Sequence, residues 1–234
     1  MNKKSIIKYM CGLSLAVLTP CIAQTALAQD EFKTPIVLHQ PIVENSMDDK
    51  IQEVIFNLMT KTQEGNEKAY QLLEIYMQDQ SHDQTLASYL KGLMLYQGLG
   101  TPVDKDEALS SFLDAADNYS NASYLAGYMM LHGDGVPVYY DDAIQYLVQA
   151  ANQGQMDAIS EFAVLNYQQS LVEKNDKVKK MLEIAAYNYA QKCAVDKRKN
   201  CILVLANVFE KGLANVPQST ESANKLRSLA ANAQ

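Results

Sequence analysis

Serine–lysine pairs, histidines, clustered carboxylates and cysteines are the side chains that could do chemistry in this chain. Acylation of a serine, as in penicillin-recognising enzymes, needs a lysine one helical turn on, in the spacing S-x-x-K. Three such matches occur, Ser5-Ile6-Ile7-Lys8 in the N-terminal leader, Ser88-Tyr89-Leu90-Lys91 and Ser222-Ala223-Asn224-Lys225, but the chain has neither S-D-N nor K-T-G to complete the set. His39, His82 and His132 stand in different segments without metal-ligand spacing. His132, beside Gly133-Asp134-Gly135, reads as a solvated turn residue. The carboxylates Asp104, Asp106, Asp141 and Asp142 lack the D-x-D-x-D-G order of a calcium loop and suit helix starts instead. No catalytic, metal or cofactor site is therefore expected. Cys193 and Cys201 are a candidate disulfide if the chain is exported, and otherwise two small core residues.

Export is what the N-terminus predicts. Lys3, Lys4 and Lys8 form a positive region, an apolar stretch runs from Tyr9 to Ala23, and Ala26-Leu27-Ala28 is a small-x-small cleavage pattern. Residues 1–28 are thus a signal peptide cut between Ala28 and Gln29, with an uncleaved anchor as the alternative. A lipobox at Leu18-Thr19-Pro20-Cys21 fits poorly because of the proline. The expected location is periplasmic or secreted, in a bacterium. The formal charge is −7, and without the leader 17 basic residues face 27 acidic ones, a net of −10. Such a balance speaks against nucleic acid as a partner, since that interface rests on basic surface. No later segment is long and apolar enough to span a bilayer, so no stable membrane insertion of the mature chain is expected.

The elements that would position any site are helices. Residues 29–46 read as an extended arm, with Pro-Ile-Val at 35–37 and again at 41–43. Helices over 47–86 follow a Ser46–Asp49 capping box and carry Ile51, Val54, Ile55, Leu58 and Met59 at helical spacing. From Ala87 the chain repeats itself. ASYLKGLMLYQGLGTPVDKDEALSSFLDAA from Ala87 aligns with ASYLAGYMMLHGDGVPVYYDDAIQYLVQAA from Ala122 at a period of 35 residues. The alignment pairs Gly92 with Gly127, Gly98 with Gly133, and Gly100 with Gly135. Small residues at Ala87, Ala122, Gly92 and Gly127 would let helices approach, and the G-x-G turns would supply left-handed backbone.

These residues resemble the Sel1-like repeat, a relative of the tetratricopeptide repeat. Gly127, Gly133, Gly135, Val136, Ala143, Tyr146, Ala150, Ala151 and Gly154 fit its pattern in one repeat. The resemblance covers residues 87–234 and implies an all-α fold, an α/α solenoid wound as a right-handed superhelix. A third unit starts at Ala158, with Gln169 and Leu171 where turn glycines should stand. A fourth starts at Cys201, with Gly212 in place and one residue inserted. The C-x7-C spacing is similar to that of secreted, cysteine-rich members, which implies a Cys193–Cys201 bridge between repeats. That register leaves an insertion around Ser170–Lys180. A rival register puts Ala185-Ala186 at the paired-alanine position and lengthens that helix.

On each first helix the third, seventh and tenth positions share a face. Tyr89, Tyr96, Tyr124, Tyr128 and Tyr167 fall there and could line a groove for a protein or peptide partner, or else pack between helices. The resemblance implies scaffold or adaptor work without catalysis. Its cysteine-rich members also raise a penicillin-recognising, β-lactamase-like enzyme, and the tyrosines raise a cell-wall glycan binder.

Overall fold

The computed structural model describes residues 57, 63–78 and 84–233. The expected signal peptide with its Ala28/Gln29 cleavage site, the expected arm at 29–46 and, apart from Asn57, the expected helix from Ile51 to Met59 lie outside the described residues. The chain divides into two compact units at Gln153/Gly154. Nine helices and no strand are found among the described residues.

The first unit holds α1 (Gln63–Gln78), α2 (Gln84–Gln97), α3 (Lys105–Ala115), α4 (Ser120–His132) and α5 (Tyr140–Asn152). Helices α2 and α3 pack as one hairpin and α4 and α5 as the next, with α1 against α2 and α3 against α4. The two hairpins repeat atom for atom at their turns. Leu99 and Asp134 donate backbone N–H to Met94 and Met129, at 2.9 and 3.0 Å. Asp104 and Tyr139 then donate to Leu95 and Met130, both at 3.0 Å. Each turn needs left-handed backbone twice, and glycine supplies it: φ is 72° and 73° at Gly98 and Gly100, 65° and 77° at Gly133 and Gly135. A valine folds back over each turn, Val103 on Gly98 and Val138 on Gly133, leaving no room for a β-carbon there.

Mid-helix, close approach decides the residue. A β-carbon on Gly127 would lie 2.9 Å from Leu147 Cγ and 3.0 Å from the Ala143 carbonyl oxygen, and one on Gly92 would lie 2.6 Å from the Phe112 ring. Ala87 and Ala122 are fully buried where the repeats stack. Asp104 caps α3 by accepting the Glu107 N–H at 2.9 Å, with Asp106 and Glu107 in the first turn. In α5 the carboxylates Asp141 and Asp142 occupy the first turn, but the cap position is Tyr139, which makes no side-chain cap bond.

The second unit holds α6 (Met156–Val172), α7 (Asp176–Ala194), α8 (Lys199–Lys211) and α9 (Thr220–Ala230). The insertion expected around Ser170–Lys180 is not a loop. Ser170 is buried inside α6, and the turn is only Glu173–Asn175, whose Asn175 accepts the N–H groups of Lys177 and Val178. The extra residues are taken up as helix: α6 has 17 residues where α4 has 13, and α7 has 19 where α5 has 13. The cysteine register holds at the far end. Cys193 precedes Cys201 by eight positions, as Ala150 precedes Ala158. The two cysteines, both fully buried, form a disulfide with Cα atoms 5.9 Å apart.

The fourth turn keeps the same backbone bonds, Leu213 to Val208 and Ser219 to Phe209, with one more residue between them. Its second glycine is replaced. Ala214 and the inserted Asn215 both adopt positive φ, 55° and 64°. The buried carboxylate of Glu183 on α7 holds this turn by accepting the Ala214 N–H at 3.2 Å.

Candidate partner-binding surface

The five tyrosines do not form one open wall. Tyr89 is 1 % exposed, Tyr167 4 % and Tyr124 8 %. These three are core residues, which corrects the groove expected of them. The reason lies in their helices. Helix α2 is buried at Leu86–Leu90 and at Gly92–Leu95, and α4 at Ala122–Gly127 and Met129–Leu131, so the face bearing the stripe is itself packed. Tyr89 sits between Phe112 of its own hairpin, at 6.3 Å between centroids, and Tyr119 of the next, stacked at 6.1 Å. Burial pushes its hydroxyl well above the usual phenol range, partly offset by a hydrogen bond with Asn121. The hydroxyl of Tyr167 accepts from Lys211 Nζ at 3.0 Å.

Tyr96 is half-buried and has a polar role that its apolar spacing did not announce. Its hydroxyl donates to the carboxylate of Asp134 in the Gly133–Gly135 turn of the next hairpin. Lys105, the first residue of α3, lies 3.1 Å over the Tyr96 ring centroid and 3.4 Å from Asp134 Oδ2. The aliphatic part of Lys105 passes over Gly135, where an added β-carbon would meet its Cγ at 2.5 Å. Burial first, then the Asp134 hydrogen bond, raises the Tyr96 hydroxyl far above the phenol range. Tyr96, Lys105 and Asp134 thus lock the first repeat to the second. The signal was present at the 35-residue offset, where Asp134 replaces Leu99 and Lys105 is replaced by Tyr140.

What remains of the stripe on the surface is short. Tyr128 and His132, both half-buried, stack with centroids 4.4 Å apart, one helical turn from each other on α4. Tyr124 backs Tyr128 at 5.9 Å. In the fourth repeat the seventh and tenth positions are Asn207 and Glu210, and Arg227 from α9 binds both. It donates to Asn207 Oδ1 at 2.9 Å and to Glu210 at 2.7 and 3.2 Å. Those bonds hold the Glu210 carboxyl below its ordinary range.

Among the described residues no three His, Cys, Asp or Glu side chains gather as a metal site. No helix among them is long and apolar enough to cross a membrane.

Helix hairpins in tandem, glycine turns and an inter-repeat lock define an all-α repeat solenoid. The fold is that of Sel1 repeat proteins. A crystal structure of a Sel1 repeat protein from Oxalobacter formigenes is similar at TM-score 0.54 and 19% identity, covering 80% of this chain and 84% of that one. A protective antigen present in uropathogenic Escherichia coli strains, displaying an SLR fold, is similar at TM-score 0.40 and 16% identity. That match covers 98% of this chain and 60% of the antigen. No protein-family model and no curated protein matches the chain.

Proposed function

We propose that this chain is an exported interaction scaffold that binds a protein or peptide and performs no chemistry itself. The single observation that carries this reading is the tandem-repeat fold, a series of helix hairpins of the Sel1 type. Within that frame Tyr128, stacked on His132, keeps part of its ring accessible to a partner. A buried disulfide tying two helices together supports a location outside the reducing cytoplasm, periplasmic or secreted. The test is in-cell chemical cross-linking of the full chain, with mass spectrometry of what is captured. A single reproducible protein partner, lost in the Tyr128→Ala variant, supports the reading. A chain that cross-links only to abundant envelope proteins in proportion to their amount sinks it. N-terminal sequencing of envelope-fraction protein, expected to start at or within two residues of Gln29, checks the export step.

A further inference from the structure

We propose that the chain binds a second copy of itself, the acidic turn edge of the first unit in one molecule seating on the basic turn of the second unit in the other. The charge of the two units differs in sign. Residues 63–153 carry three lysines, no arginine and thirteen acidic residues, whereas residues 154–234 carry eleven basic residues and eight acidic ones. Each unit also exposes apolar side chains where its charge is concentrated.

On the first unit the edge is built by the two adjoining interhelical turns, joined where Lys105 crosses Gly135. Val103, Val138 and Tyr139 are exposed at 57 %, 44 % and 47 %. Around them stand Asp104, Asp106, Asp141 and Asp142, all exposed. Lys105 does not neutralise these four, because it is committed to Asp134 and Tyr96. Asp106, Asp141 and Asp142 make no ion pair among the described residues.

On the second unit the matching feature is the α6–α7 turn. Leu171 and Val172 end α6, exposed at 47 % and 41 %, and Met181 and Ile184 continue the apolar surface along α7. Lys177, Met181 and Ile184 share one face by i, i+4, i+7 spacing. Lys174 and Lys177 are exposed and make no ion pair among the described residues. Glu173 and Asp176 share this turn, but Lys174, Lys177, Lys179 and Lys180 outnumber them.

A foreign basic partner would satisfy only the acidic edge, and a foreign acidic one only the lysine turn. A second copy satisfies both, and it brings apolar residues to apolar residues at each contact. Two such contacts related by a two-fold axis close a dimer, whereas one contact repeated head to tail builds a row.

Sedimentation velocity on the purified full chain, from about 20 mM to about 500 mM salt, tests this, since attraction between exposed charges falls as the Debye length shortens. The expected result is a larger species at low salt that returns to monomer at high salt. Two charge-reversed forms are then compared, Asp106→Lys/Asp141→Lys/Asp142→Lys and Lys174→Glu/Lys177→Glu, each checked for helicity by circular dichroism. Each alone should be monomeric at low salt, and an equal mixture should associate again. Val138→Ser/Tyr139→Ser, which leaves the charge unchanged, should weaken association at least tenfold. A wild-type chain that stays monomeric at every salt and concentration overturns the proposal, also if a Lys- and Leu-rich synthetic peptide binds its acidic edge. Failure of the mixed variants to associate overturns it too. None of these readouts uses position 128, so the scaffold reading stands or falls separately.

Discussion

Tyr89 and Tyr128 occupy the third and seventh positions of successive first helices, yet the fold gives them different work. Tyr89 is enclosed by Phe112 and Tyr119, whereas Tyr128 keeps part of its ring at the surface. Tyr89→Ala should therefore cost about 3–5 kcal/mol, as truncation of a buried aromatic does. Tyr128→Ala should cost clearly less, and thermal melts of the two variants check the contrast. An equal loss would show that Tyr128 is core as well. A second expectation concerns alkaline pH. The hydroxyls of Tyr89 and Tyr96 are raised by burial, so the unfolded chain loses these protons first, near pH 10. Above that pH the unfolded state binds fewer protons, and stability falls as pH rises toward the folded-state values. Their contribution is complete below about pH 10. Tyr89→Phe should flatten the fall above about pH 10 in denaturant titrations. A slope identical to wild type would contradict the assignment.

At the scale of the helix hairpin, much was legible from spacing. The 35-residue offset located the paired glycines, and the turns indeed use positive φ at Gly98, Gly100, Gly133 and Gly135. Gly127 shows the other use of glycine. Its neighbours include backbone atoms of α5, the Ala143 carbonyl oxygen and the Leu147 N–H, which cannot swing aside as a side chain can. Gly127→Ala should force α4 and α5 apart at a cost of about 1–3 kcal/mol, only partly offset by the roughly 0.5–1 kcal/mol that alanine gains over glycine in a helix interior. Chemical denaturation measures it, and a neutral result would mean that the hairpin relaxes freely. Two features were illegible for physical reasons. The third repeat lengthens by continuing its helices, which leaves no turn residue to mark the extra length. Helix α2 is packed on nearly all sides, so a tyrosine stripe there cannot say which way it looks.

At the scale of the whole molecule, the two units are stabilised differently. The first depends on the Tyr96–Lys105–Asp134 lock between its repeats, and the second carries the disulfide between α7 and α8. Closing a loop of this size is worth roughly 2–3 kcal/mol on the chain-entropy model. Alanine already occupies the corresponding places, Ala150 and Ala158, so Cys193→Ala/Cys201→Ala should fold. Hydrogen exchange of that variant should show faster amides in α6–α9 and little change in α2–α5. Uniform acceleration across both units would show that the staple stabilises the molecule globally. Thiol counting on the unreduced, denatured wild type should find Cys193 and Cys201 blocked. The pairing was readable from spacing and resemblance together, but the opposite charges of the units emerged only once the boundary at Gly154 was known.

The lock between the first two repeats also fixes their order along the chain. Lys105 reaches forward to Asp134, but the residue at its own place in the second repeat is Tyr140, and Asp134 answers to Leu99 in the first. The connection therefore has a giving end and a receiving end. Exchanging the two segments in the gene would set Tyr140 against Leu99 and leave both lysine and carboxylate without their counterpart. Two near-copies of one sequence have in this way become non-interchangeable, each written for its place in the row.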